Sequence, residues 1–359
     1  MGFTQLKAQL LRLPDPKVTN YRSSVGRTVG VTEIGIQYGS PAVRGREGNI
    51  WGTNTVPYGY TVLGFGSTVE SPWRAGADEG TTMSFSTDVS INGQKLAAGK
   101  YGFFIAVYPD SCVLVFNKNT HEWGSYFYDK TQDVLHVSTK QQKNLPTSRE
   151  RLDYTFNNQT DHSVEIALEW EKWRIPFNVE VDIAGTTLAS IKTQMSGAMG
   201  FDPSSLQAAA AWCLQNNVNT DQAITWIESA TSPGLGGAQT FAALSTKAGL
   251  FNKLGKKDEA DKIMATALDN ANAIELHGYG RQLLADKKIP EAMAIFEKNY
   301  KKNDGKWPTT VGMMRGLSAM GNLSEALKYA KTALTQAPDE GNKKSLETSI
   351  KKLESGKAL

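Results

Sequence analysis

Two rhythms of apolar and polar residues divide the chain. Up to about residue 185, short runs with an apolar residue at every second position alternate with clusters of Gly, Pro, Asn and Asp. Beyond that point Ala, Leu, Lys and Glu recur at three- and four-residue spacing. A period of two predicts half-buried strands and a period near 3.6 predicts amphipathic helices. The change of period therefore predicts an extended N-terminal segment over 1–24, a β domain over 25–185 and a helical domain over 186–359. In the β domain, Val29–Tyr38 reads as one strand whose alternation changes phase between Val31 and Ile34, which predicts a bulge. Met83 and Phe85 alternate with polar neighbours, and Val89 and Ile91 lead into Asn92-Gly93, a strong hairpin signal. Tyr101, Phe103, Ile105 and Val107 share one face of the next strand. Cys112–Phe116 is apolar throughout, as a central strand would be. Runs at 134–137, 152–156, 164–170 and 175–181 complete the set, with Pro176 near a strand start or on an edge. So many short strands separated by turns predict an antiparallel β-sandwich or jelly-roll-like barrel.

The helical half repeats. Glu-Ala pairs end at Ala260, Ala292 and Ala326, spaced 32 and 34 residues apart. Each follows a turn signal at Leu254-Gly255, Asp286-Lys287-Lys288 or Met320-Gly321 and precedes a second amphipathic run. Helical hairpins of this period are similar to the tetratricopeptide repeat, with the small Ala where two helices cross closely. Residues 208–216 and 221–229 read as a degenerate first pair, and 342–353 as a capping helix.

Composition narrows the function classes. The 359 residues are 40% hydrophobic and 21% charged, with a net charge of +3, so there is no electrostatic case for a nucleic-acid partner. No apolar run is long enough for an integral membrane segment, and the first residues show no apolar signal-peptide core. Cys112 and Cys213 fall in different predicted domains and read as buried free thiols. Metal-binding and catalytic signatures such as His-Glu-x-x-His, Cys-x-x-Cys and Gly-x-Ser-x-Gly are absent. No cofactor and no metal site is expected.

The densest chemistry lies in Trp73–Thr82. Trp73 offers an apolar platform, Arg74 a bidentate donor, and Asp78 and Glu79 two carboxylates for acid–base work or cation binding. On a regular strand these two carboxylates would face opposite ways, so a shared site requires irregular backbone. Arg44 and Arg46 flank a glycine and suit a carboxylate, phosphate or sulfate, or an internal ion pair with Asp78 or Glu79. His121 beside Trp123 suits proton transfer next to a stacking surface. Trp170 and Trp173 read either as sugar-stacking indoles or as packing between the two domains.

Together these motifs resemble the family called domain of unknown function 2911, in a long form with tetratricopeptide-like helices. The residues that carry the likeness run in order through Tyr38, Ser40-Pro41, Arg44-Gly45-Arg46, Ile50-Trp51-Gly52 and Val56-Pro57-Tyr58-Gly59. They continue through Trp73-Arg74-Ala75-Gly76-Ala77, Glu79, Thr81-Thr82, Gly99-Lys100-Tyr101-Gly102, Phe116-Asn117-Lys118, Trp123-Gly124 and Tyr128-Asp129. The family pattern has Asn where this chain has Asp78. The resemblance implies a secreted or periplasmic bacterial protein, with the present N-terminus a trimmed mature start, and it implies no activity.

Three readings follow. In the first, the sandwich binds a small polar ligand, carbohydrate among the candidates, through Arg44, Arg46, Trp73, Arg74 and Trp123 near Glu79. In the second, the arginines and carboxylates form a buried ion-pair network, and the protein acts as a scaffold for a protein partner through its helices. In the third, a hydrolase or lyase uses Asp78 or Glu79 as base and His121 as acid.

Overall fold

The computed structural model describes residues 20–66 and 69–359. The predicted extended segment over 1–24 lies mostly outside these residues. Its described end already belongs to a strand, β1 (Tyr21–Val29), which pairs with β2 (Thr32–Ser40). The strands that follow are β3 (Thr61–Val62), β4 (Glu70–Ser71), β5 (Thr82–Phe85), β6 (Val89–Ile91), β7 (Gln94–Leu96), β8 (Gly99–Val107) and β9 (Cys112–Asn117). The last four are β10 (Asp133–Thr139), β11 (Arg149–Asn157), β12 (Ser163–Glu171) and β13 (Trp173–Glu180). They form one sheet in the order β1-β2-β5-β8-β9-β10, a second in the order β11-β12-β13-β6-β7, and a small ribbon of β3 and β4. Every pairing between these strands is antiparallel.

The two main sheets share one core. Phe103 on β8 meets Phe116 of its own sheet at 5.1 Å between ring centroids, and Phe177 of the other sheet at 5.9 Å. The opposite face of β8 is covered too. Phe104 packs there with Val115 and Tyr128, which is why this part of the sheet is apolar at consecutive positions rather than at alternate ones.

Local chemistry accounts for the turns. Asn92 and Gly93 both take positive φ, 46° and 80°, as a two-residue hairpin between twisted strands requires. The bulge predicted near Val31 is instead a hairpin turn. Val29 pairs with Thr32, Gly30 has φ 58°, and Val31 is 39% exposed at the tip. An apolar residue at a turn tip imitates a phase slip in the pattern. Pro176 lies in β13, whose pairing with β6 is confined to Val179 and Glu180, so the proline stands where the strand has a ladder neighbour only in β12.

The helical half begins with α1 (Ile183–Met195) and continues as four hairpins and a final helix. These are α2 (Pro203–Asn216) with α3 (Thr220–Thr231), α4 (Phe241–Lys253) with α5 (Lys257–Asn270), and α6 (Ala273–Ala285) with α7 (Ile289–Lys302). Next come α8 (Thr309–Ala319) with α9 (Leu323–Gln336), and then α10 (Glu340–Glu354). Ala260, Ala292 and Ala326 are each fully buried, as close helix crossing demands. Gly255 and Gly321 end their helices at φ 73° and 82°, and Lys287 takes the equivalent turn at φ 60°. The chain divides into two compact units, one ending at Ile191 and the other starting at Lys192. No helix among the described residues is long and apolar enough to cross a membrane.

Candidate functional site

The Trp73–Thr82 segment is an arch thrown out from the first sheet. Trp73 exchanges backbone hydrogen bonds with Ile105 of β8, at 3.2 and 2.8 Å. Thr81 returns to the same strand two positions along, where its carbonyl accepts from the Phe103 N–H at 2.8 Å. Residues 74–80 therefore leave the sheet between two adjacent attachment points. Two left-handed residues, Ala75 at φ 51° and Asp78 at φ 60°, make the sharp bends possible. Asn and Asp tolerate that conformation better than other side chains, so the backbone accepts Asp78 at this bend. Buried hydrogen bonds hold the arch. Tyr154 Oη donates to the Ala75 carbonyl at 2.8 Å, Thr81 Oγ1 donates to the same carbonyl at 3.1 Å, and the Ala77 N–H donates to the Gly39 carbonyl at 3.1 Å.

The irregular backbone does not bring Asp78 and Glu79 to one partner. Asn20 donates to both carboxylate oxygens of Asp78, at 3.1 and 3.2 Å. Arg22, two residues on, pairs with Glu79 at 2.6 Å. The start of β1 thus grips the arch, with each carboxylate held separately. The Arg22–Glu79 pair is open to solvent, the two side chains being 67% and 45% exposed. Neither Arg46 nor Arg74 has a carboxylate partner among the described residues. A buried ion-pair network joining these two arginines to Asp78 and Glu79 is therefore not what forms.

Six of the eight predicted site residues divide between two clefts that share no lining residue, and Arg44 and Asp78 line neither. The first has a volume of about 250 Å³ and lies where the arch runs beside residues 120–124. Gly80 N–H donates to the Glu122 carbonyl at 2.9 Å, and Glu79 bridges Trp123 through the backbone. This pairing brings Glu79, His121 and Trp123 to one cleft, together with Arg22, Lys100 and Glu122. Trp123 is 56% exposed, an unusual position for an indole. Glu122 carries no signal in the sequence, because a lone acid between His121 and Trp123 becomes unusual only when its burial is seen. It is 7% exposed. Asn119 donates to its Oε1 at 3.0 Å, while its buried Oε2 has no partner. Burial, with Asp129 and Asp133 nearby, pushes its carboxyl from the ordinary 4.5 up to about 7.

The second cleft, of about 330 Å³, contains Arg46, Trp73 and Arg74. Arg74 and Trp73 also reach a smaller neighbouring cleft of about 130 Å³. Arg44 lines none of these and lies exposed at φ 52°, with its backbone N–H donating to Glu150 at 3.0 Å. Trp170 and Trp173 pack inside the β domain against Trp51. Both are buried there, so they do not serve as exposed stacking residues. Among the described residues, no three His, Cys, Asp or Glu side chains are grouped as metal ligands. Both cysteines are buried and free, and burial pushes the Cys112 thiol up to about 12.

Residues 21–179 match the model of a family described as "Protein of unknown function (DUF2911)". No curated protein matches the chain. Among solved structures, a mutant of MamA is similar at 15% identity and a TM-score of 0.26, over 44% of this chain and 94% of that one. The arch and both clefts fall within the residues that match the DUF2911 model, which cover the β domain and are followed by helical-hairpin repeats.

Proposed function

We propose that the β domain binds a small hydroxyl-rich ligand, best a sugar ring, in the cleft beside Trp123. The observation that carries this reading is an exposed indole at a cleft whose other groups are polar and of both charges. An aromatic face stacks on the apolar face of a sugar, while Glu79, Arg22 and Lys100 are placed to bond hydroxyl groups. The mixed charge suits a neutral polyol better than a strongly charged ligand. Titration of the full chain with mono- and disaccharides, followed by calorimetry, tests the reading. Trp123→Ala is expected to weaken the best ligand by at least about tenfold, the loss of roughly one stacking contact. Its melting temperature should scarcely move, because the indole is exposed. Equal affinity in the variant, or no saccharide binding in the wild type, rejects the reading.

A catalytic version is supported by Glu122. A carboxyl with a pKa of about 7 and an unpartnered oxygen is suited to donate a proton at neutral pH. Glu79, paired with Arg22, supplies a second carboxyl group in the same cleft. If the bound saccharide is also turned over, Glu122→Gln should lower kcat by about a hundredfold or more with little change in binding. Unchanged turnover in that variant would leave binding as the whole function.

A further inference from the structure

We propose that the cleft between Arg46 and Arg74 is a second binding site, one that takes an oxyanion: the carboxylate, phosphate or sulfate group of a small molecule. It is separate from the Trp123 cleft and goes beyond the saccharide reading.

The argument begins with unspent donors. A guanidinium has five N–H groups. Arg46 uses three of them. Its Nη2 donates to the Ala42 carbonyl at 2.7 Å, its Nε to the Val43 carbonyl at 3.0 Å, and its Nη1 to Thr55 Oγ1 at 3.3 Å. These neutral acceptors fix the direction of the fork without neutralising it. Arg74 is less satisfied still. Its Nε is buried with no partner, and its Nη1 lies against Gly124, where any β carbon would approach to 2.6 Å. The two cations line the same open cleft, and no acidic residue lines it with them. Of the carboxylates close to them in sequence, Asp78 is taken up by Asn20 and Glu47 by Lys172.

Holding two guanidinium groups partly out of water without a counterion is costly, and it becomes favourable when an anion supplies the missing acceptors. Arginine forks suit planar carboxylate and tetrahedral phosphate or sulfate alike. The walls are rigid. Trp73 and Trp170 stack at 6.2 Å and 17°, and Arg46 lies 6.0 Å from the Trp170 ring centroid. Asn54 and Thr55 add neutral polar groups on the same rim. The cleft is thus pre-shaped for the charged end of a ligand, with the half-buried Trp73 as its apolar surface and Trp170 buried behind it.

The test is a set of thermal melts of the full chain in sodium phosphate, sulfate, acetate or citrate, each against sodium chloride at equal ionic strength. At least one oxyanion should raise the melting temperature saturably, by about 5 °C or more at a hundredfold excess over Kd. The tetrahedral and planar series distinguish the two source chemistries. Arg74→Lys keeps the charge but loses the fork, and it should weaken the effect by about tenfold or more. Arg74→Met should abolish the effect. Without added oxyanion its melting temperature should match or exceed that of the wild type, because an uncompensated cation has gone. Should Arg74→Met fail to fold, the wild type and Arg74→Lys still decide the question. The proposal fails if no oxyanion exceeds chloride, or if Arg74→Lys responds as the wild type does.

Discussion

Glu122→Gln is expected to stabilise the β domain by about 2–3 kcal/mol at pH 8 and to have little effect near pH 4. The native carboxyl titrates at about 7 against an ordinary value of 4.5. Between these values the native state holds a proton that the unfolded state has lost. The favourable contribution is therefore complete below about pH 4.5 and disappears as pH rises through 7. At 1.36 kcal/mol per unit of pKa, the full span is about 3 kcal/mol. Glutamine keeps the shape and can still accept the Asn119 bond, but it has no charge to desolvate. His277 in α6 pulls the other way. Burial first, then Arg315 and Arg281, lower it from 6.5 to about 4, so its contribution is gained as pH rises across that window. The decisive quantity is thus the difference between wild type and variant at each pH, measured by urea unfolding from pH 4 to 8. A difference that does not change with pH would contradict the assignment.

Gly39→Ala is expected to cost about 3 kcal/mol or more and to disrupt both clefts at once. Gly39 lies in β2, and a β carbon there would stand 2.0 Å from the Ala77 carbonyl oxygen and 2.8 Å from its carbon. The obstacle is backbone, so no side chain can swing aside. Either the arch lifts off the sheet or β2 shifts, and each breaks the Ala77 to Gly39 hydrogen bond. Because the arch borders both clefts, saccharide and oxyanion binding should fall together with stability. A variant that melts within 1 °C of the wild type would show that the approach is looser than the geometry states.

Much of the fold could be read from the chain because it rests on local rules. Alternation places Phe103, Ile105 and Val107 in the core, and the recurring alanines fall where helices cross. What could not be read depends on contacts across long separations. Arg22 and Glu79 are 57 residues apart, and nothing near either one announces the other. Adjacency along the chain also misleads. Arg74 and Glu79 sit in one short motif and suggest a single site, yet the arch turns them into different clefts. Glu122 is the clearest omission, because burial gives it its chemistry and burial is a property of the packed loop rather than of the three-residue pattern.

The indole cluster has a spectroscopic consequence. Trp51 stacks on Trp173 at 4.6 Å and 10°, stands edge-on to Trp73 at 5.7 Å, and lies 5.9 Å from Trp170. Transition dipoles this close couple, so four of the chain's eight tryptophans contribute jointly to the near-ultraviolet circular dichroism. Two of them, Trp73 and Trp170, form the wall of the arginine cleft. Near-ultraviolet circular dichroism of the intact protein is therefore weighted toward that wall, which gives the oxyanion site a reporter that needs no added label.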